Sequence, residues 1–343
     1  MWQADIEHMK SRIRRLTSSP AAITFLLAPV VGELISTSAP LPSFLVGWLP
    51  FAVLYGCGVL LVRELAHRWG SGWLGVGLLG AAYGIVEEGL VTRAFFDPTW
   101  EDLGKLAVFG RDGGVNWLWA TQLTIYHAAV SVGVTLTVVG LLFPDRREEP
   151  WLGRRGLGWS AAGIGAWVLA GFAFYRPPAP HLVATWVAVA VLVVAARLVR
   201  PRPPRPSTGP VPRPRRFLLL GVAAWVTVML LPHLFAEIPG TSPEAAWLLM
   251  VGSALGAVAL VRTWSGDMTA WDDRHRLALA FGIMAPFVAL GPVFAGPVWG
   301  SVVTVATLWA SWRLWRRVGG RAPSTLDAEG PISVPEDDQS RQS

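Results

Sequence analysis

The chain has 343 residues, 52% of them apolar and only 15% charged, with a mean hydropathy of +0.44. At about 20 residues per bilayer-spanning helix, that composition excludes a pair of soluble domains and leaves an integral membrane protein with no sizeable soluble part. The net charge of +6 is spread between apolar runs rather than gathered into a patch, which argues against nucleic-acid binding.

In residues 1–19, Trp2, Ile6, Met9, Ile13 and Leu16 recur on one helical face with Lys10, Arg12 and Arg15 elsewhere around it. This predicts a cytoplasmic amphipathic segment, either an interfacial helix on the inner leaflet or an extension of the first span. It is not read as a cleavable signal peptide, because Glu33 interrupts the next apolar run and no small-x-small cleavage site follows. Apolar runs bounded by charge, Pro or Gly then predict about ten transmembrane helices, near residues 20–39, 43–62, 72–92, 117–143, 158–175, 181–199, 217–236, 244–262, 277–291 and 297–315. The fold class is therefore an all-α, polytopic membrane helix bundle. Six helices form a first bundle over 20–199, and four form a second membrane part over 217–318. An Arg/Pro-rich cytoplasmic linker at 200–216 separates them, and residues 319–343 read as a disordered cytoplasmic tail. The sequence GPVFAGP at 291–297 leaves the ninth span either short or broken into a re-entrant element. Cys57, the only cysteine, excludes an intrachain disulfide and sits in an apolar run as a packing thiol.

The charges orient this bundle. With both termini cytoplasmic, only Arg93, Lys105, Arg111 and Arg176 fall outside, so 25 of the 29 basic residues lie on the inner side. This places the protein in the cell membrane as a multi-pass chain, with the lipid bilayer as its first partner.

Ionisable groups at membrane depth are costly and by default functional. They are Glu33 in the first span, Glu87 and Glu88 in the third, His127 in the fourth, and His233 with Glu237 at the end of the seventh. Alternating topology puts all six in the outer half of the membrane, where they can share a site. Thr124, His127, Ser131 and Thr135 draw a polar stripe along the fourth helix, and Gly80 and Gly84 share a face with the diglutamate, so another helix can approach closely there. Adjacent helical positions differ by about 100°, so one of Glu87 and Glu88 is expected to face the site while the other caps or pairs. A purely structural reading stands beside this: a glutamate pairs with Arg93, and His127 bonds a carbonyl. Glu237 reads as a solvated end charge. Gly75, Gly77 and Gly80 spell GxGxxG inside an apolar run with no preceding strand, which does not make a dinucleotide site. The external segment 93–116 follows the diglutamate directly and is expected either to cap the site or to form an interfacial turn, with Asp97 before Pro98 as turn initiator.

The run YGIVEEGLVTRAFFDP, then LTIYH ending in His127, then His233 with Glu237, resembles the CAAX protease and bacteriocin-processing family of intramembrane metalloproteases. That family's pattern is a diglutamate followed after three residues by Arg, then Phe-x3-His, then His-x3-Asn or Asp. Here Thr92 occupies the Arg position, with Arg93 one step on; Leu123 replaces the Phe, and Glu237 stands in the final place. The resemblance implies Glu87 or Glu88 as a water-activating base and His127 and His233 as ligands of a divalent metal such as zinc or as oxyanion partners; Arg93 and Asp97, in the external segment, are expected as substrate or cap residues. Three readings follow: a membrane-embedded hydrolase acting on a membrane peptide, a proton-coupled or small-solute transporter using the same groups, and a non-catalytic assembly or interaction protein.

Overall fold

The computed structural model describes residues 19–173, 176–200, 211–266 and 271–320. The expected N-terminal amphipathic segment, most of the proline-rich linker and nearly all of the tail lie outside the described residues. Ten long helices follow one another: α1 (Pro20–Ile35), α2 (Leu41–Trp69), α3 (Gly72–Val91), α4 (Trp117–Leu142), α5 (Arg154–Ala173), α6 (Ala179–Leu198), α7 (Pro214–Glu237), α8 (Pro243–Trp264), α9 (Asp273–Phe294) and α10 (Pro297–Gly319). The eight from α2 to α9 are long and apolar enough to cross a bilayer, whereas α1 is shorter.

Local chemistry sets the helix ends. Ser19 accepts from the Ala22 N–H ahead of Pro20, Asn116 accepts from Trp119 N at 2.8 Å, and Ser242 accepts from Ala245 N ahead of Pro243. Gly70, with φ of 61°, ends α2 in the left-handed region. The ninth span is neither short nor broken. Asp272 and His275 form a capping box that starts α9 one turn before the apolar run, and the helix then continues through Pro286 and Pro292. Pro292 has no N–H for the Val288 carbonyl, and Thr304 Oγ1 of α10 donates to that carbonyl at 2.8 Å.

Helices α3 and α4 form the centre. A Cβ on Gly80 would meet Ala128 Cα at 3.0 Å, and one on Gly84 would meet His127 Cβ at 2.8 Å, so the two backbones touch beside the diglutamate as the glycine spacing predicts. On its other faces α4 packs with α1, α7 and α9 through Val31, Tyr126, Val130, Trp225, Met284 and Phe287. The helices on either side of the linker therefore share one core. By contrast α5, α6, α8 and α10 turn Trp159, Val191, Leu255 and Val305 outward, as lipid-facing helices do.

The segment after α3 is compact. Two turns over Glu101–Ala107 and a short hairpin pairing Arg111–Asp112 with Val115–Asn116 bury Phe95, Phe96, Leu103 and Leu106 against the starts of α4 and α8. Arg111 holds it by donating to the carbonyls of Ala107, Phe96, Gly114 and Asp97. His181 of α6 stacks on Phe96 at 5.3 Å and bonds the Gly113 carbonyl. The segment, called the cap below, is folded on its own aromatic and aliphatic residues.

Candidate functional site

Four helices leave regular α geometry at one place. The π-helical turns Val30–Ile35, Ala52–Gly56, Glu87–Val91 and His127–Val134 carry Glu33, Tyr55, the diglutamate, and His127 with Ser131. Such turns insert a residue into a helix and mark functional positions. Glu87 and Glu88 nevertheless do not diverge at their tips as adjacent helical positions should. Their flexible side chains converge, with Glu87 Oε2 2.9 Å and Glu88 Oε1 3.1 Å from the same His127 Nε2. All three residues are buried, and their ligand-capable atoms lie within 4.8 Å of one another.

The imidazole is fixed on every side. Its Nδ1 lies 3.1 Å from Ser131 Oγ, its face stacks on Tyr55 at 5.9 Å, and Tyr83 and Tyr126 meet it edge-on at 5.7 and 5.1 Å. Ser131, on the predicted stripe, thereby aims Nε2 at the carboxylates. Glu88 is held twice, by His127 through Oε1 and by the Thr92 hydroxyl donating to Oε2 at 3.0 Å. Glu87 Oε2 is buried and makes no aligned hydrogen bond despite its closeness to His127. Two carboxylates facing one imidazole nitrogen at membrane depth require a positive charge between them, either a proton or a metal ion.

Glu33 joins from α1, accepting from the Tyr55 hydroxyl at 2.7 Å, and is close enough to Glu88 and His127 for their charges to act on it. The other predicted residues lie elsewhere. His233 packs edge-on against Trp119 at 6.2 Å, eight residues before His127 on α4, or about 12 Å along the helix. It is not part of the cluster with Glu87, Glu88 and His127. Arg93 is buried in the left-handed region, φ 64°, with its guanidinium 4.6 Å from the Phe172 ring and its Nε donating to the Leu90 carbonyl. Asp97 accepts from Thr99 N and Oγ1 and so initiates the predicted turn. Glu237 pairs with Lys105 of the cap, both exposed, as a solvated end charge.

Tyr55, Tyr83 and Tyr126 were not singled out from the sequence, where a tyrosine in an apolar run carries no chemical signal. Nor was Gln122, fully buried on α4, whose amide donates to the Val228 and Met229 carbonyls of α7 at 3.1 and 2.8 Å. A signal existed for Gln122: Pro232 cannot bond Val228 O, so a donor had to be supplied from a neighbouring helix.

No curated protein and no solved structure matches the chain. The model of an uncharacterized membrane protein family matches residues 22–319, which covers the ten helices and the Glu/His cluster. The chain belongs to that family of multi-pass membrane proteins.

Proposed function

We propose that the protein is a membrane-embedded hydrolase working through Glu87, Glu88 and His127, as its resemblance to the CAAX protease and bacteriocin-processing family implies. In this reading it sits in the cell membrane with about ten spans and both termini cytoplasmic, an orientation supported by 25 basic residues on one side against Arg93, Lys105, Arg111 and Arg176 on the other. The observation that carries the activity is the convergence of three buried ligand-capable groups within 4.8 Å. These residues fit a divalent metal. Glu87 Oε2 is an orphaned buried acceptor, and two carboxylates with one imidazole are a zinc-class donor set that leaves a coordination position open. Held there, such an ion would polarise a carbonyl and acidify a water.

The chain's own groups supply the rest. Ser131 and Thr92 orient His127 and Glu88, which leaves the unbonded oxygen of Glu87 as the acceptor for a proton from water. The three tyrosine rings around His127 exclude bulk solvent, and the folded cap covers the end of α3 from which a membrane peptide would be presented. His127 takes the ligand role alone, since His233 packs beside Trp119. The test uses full-length protein in detergent, loaded with zinc and dialysed, with bound metal and cleavage of a peptide library in vesicles both measured. About one zinc per chain is expected, lost together with cleavage in Glu87→Gln and His127→Ala. Wild-type protein that holds no stoichiometric metal, or Glu87→Gln that still cleaves, refutes the reading.

One observation favours a second reading, a proton-coupled transporter. Tyr55, whose ring stacks on His127, donates to Glu33 and so sets a further acid of α1 beside the cluster. That reading expects Glu33→Gln to abolish pH-driven flux in vesicles while leaving metal binding intact.

A further inference from the structure

A second site lies at the other end of the bundle. A cavity of about 380 Å³ opens where the end of α2, the start of α3, the end of α4 and the start of α9 meet. Leu136 on its wall stands nine residues beyond His127, about 14 Å along α4. The cavity is therefore separate from the Glu/His cluster, and its volume falls in the range of ligand sites.

Its wall mixes two characters. Arg63, Arg147, Arg276, His67 and Glu148 line it together with Trp73, Val76 and Leu136. Two of the arginines are committed to the scaffold. Arg63 donates to the carbonyls of Arg147 and Glu149 and pairs with Glu64, while Arg147 forms a two-point pair with Asp273 at 2.8 Å. Arg276 is different. It shares that same Asp273 at 3.4 Å, so one carboxylate faces two guanidinium groups, and its Nε is buried with no hydrogen-bond partner among the described residues. Glu148, the carboxylate among the lining residues, is exposed. Asp273 is shared by Arg147 and Arg276 and Glu148 acts on Arg276 from the exposed rim, so the polar lining is close to balanced in charge, and its unused donor is Arg276 Nε. Among the apolar residues, Trp73 is 39% exposed at the helix end, where interfacial aromatics sit.

A cavity at the ends of membrane helices whose lining combines an arginine with an unused donor and apolar side chains matches an anion carrying a hydrocarbon chain. We propose that it binds an anionic phospholipid, with the headgroup phosphate accepting from Arg276 and an acyl chain lying over Trp73 and Val76. Free phosphate shares the headgroup chemistry but would leave the apolar side chains uncovered. The proposal is independent of the reaction assigned to the Glu/His cluster.

Delipidated full-length protein in mild detergent is titrated with phosphatidylglycerol, phosphatidylcholine and inorganic phosphate, and followed by native mass spectrometry and thermal shift. One saturable phosphatidylglycerol is expected, with phosphatidylcholine at least tenfold weaker and millimolar phosphate neither binding nor stabilising. Arg276→Gln should weaken phosphatidylglycerol at least tenfold, and Val76→Trp should do so without a change of charge. Arg154→Gln, at the exposed start of α5, should bind as wild type. Equal binding of the two lipids by wild-type protein overturns the proposal whether or not the variants fold. So does phosphate that competes as well as lipid, or undiminished lipid binding by folded Arg276→Gln.

Discussion

Glu64→Leu should be the most damaging single change in the described scaffold. Glu64 is fully buried at the end of α2. Its Oε2 accepts from Arg63 Nη1 at 3.2 Å and from the backbone N–H groups of Trp151 and Leu152 at 3.1 and 3.3 Å, and its Oε1 accepts from Arg68 Nε at 3.1 Å. Removing the carboxylate strands Arg63, which is 7% exposed and cannot withdraw to solvent because two carbonyls and the Trp151 ring, 4.1 Å away, fix its guanidinium. Breaking a buried pair from one side costs about 3–5 kcal/mol, and the two orphaned N–H groups add about 1 kcal/mol or more each. A total of about 5–7 kcal/mol is a large share of a typical folding free energy. Equilibrium unfolding in mixed micelles should show it, and the double variant Arg63→Met/Glu64→Leu should recover more than half of the loss, because it removes the stranded charge. Glu64→Leu within about 1 kcal/mol of wild type, a margin ordinary for exposed pairs, would refute the assignment, as would a double variant no more stable than the single one.

Gly84→Ala places a Cβ 2.8 Å from His127 Cβ, so overpacking of about 1–3 kcal/mol and weaker metal binding are expected, while Gly77→Ala, with open space around it, should change neither. Gln122→Met should cost about 1 kcal/mol in wild-type background and much less with Pro232→Ala, whose restored N–H can serve Val228 O; a double-mutant cycle without coupling would contradict this. Arg111→Ala frees four carbonyls of the cap, and hydrogen exchange over residues 96–114 should rise while global unfolding changes little. Burial works against the Asp272 carboxylate, but bonds from the His275 backbone and side chain outweigh it and hold the group below its usual 3.8. Since the folded value is depressed, the cap's contribution is present above 3.8 and lost as pH falls below it, and Asp272→Ala should remove that acid dependence.

Much of this was legible in the sequence. Apolar runs about 20 residues long located the helices, because the bilayer imposes one length and one polarity on each. The glycine face of α3 and the stripe on α4 identified the pair of helices that carry the site. What the sequence hid was where side chains end up. The separation of about 100° expected for Glu87 and Glu88 holds for the backbone, and their long side chains bridge it to reach the same His127 nitrogen. Shared depth made His233 a plausible partner of His127, yet equal depth says nothing about position around the bundle, and α7 brings His233 to Trp119. The long reach of Asp272 into a capping box, rather than any apolar signal, set the true start of α9.

The buried polar groups sort into two kinds, and the division argues for where function lies. One kind repairs backbone: Gln122 and Thr304 serve the carbonyls that Pro232 and Pro292 leave unbonded, and the hydroxyls of Tyr126 and Tyr83 donate to Gly32 and Leu54 in the π turns of α1 and α2. In a bilayer such groups return more than they cost, because an unsatisfied carbonyl has no water to turn to. Glu87, Glu88 and His127 repair nothing with their side chains. Their charged or chargeable ends meet one another, Thr92 and Ser131, and one Glu87 oxygen is left unsatisfied. Apolar residues of similar size would hold α3 against α4 at lower cost. Three such groups held together at a stability cost are what the proposed role in binding a proton or a metal ion requires.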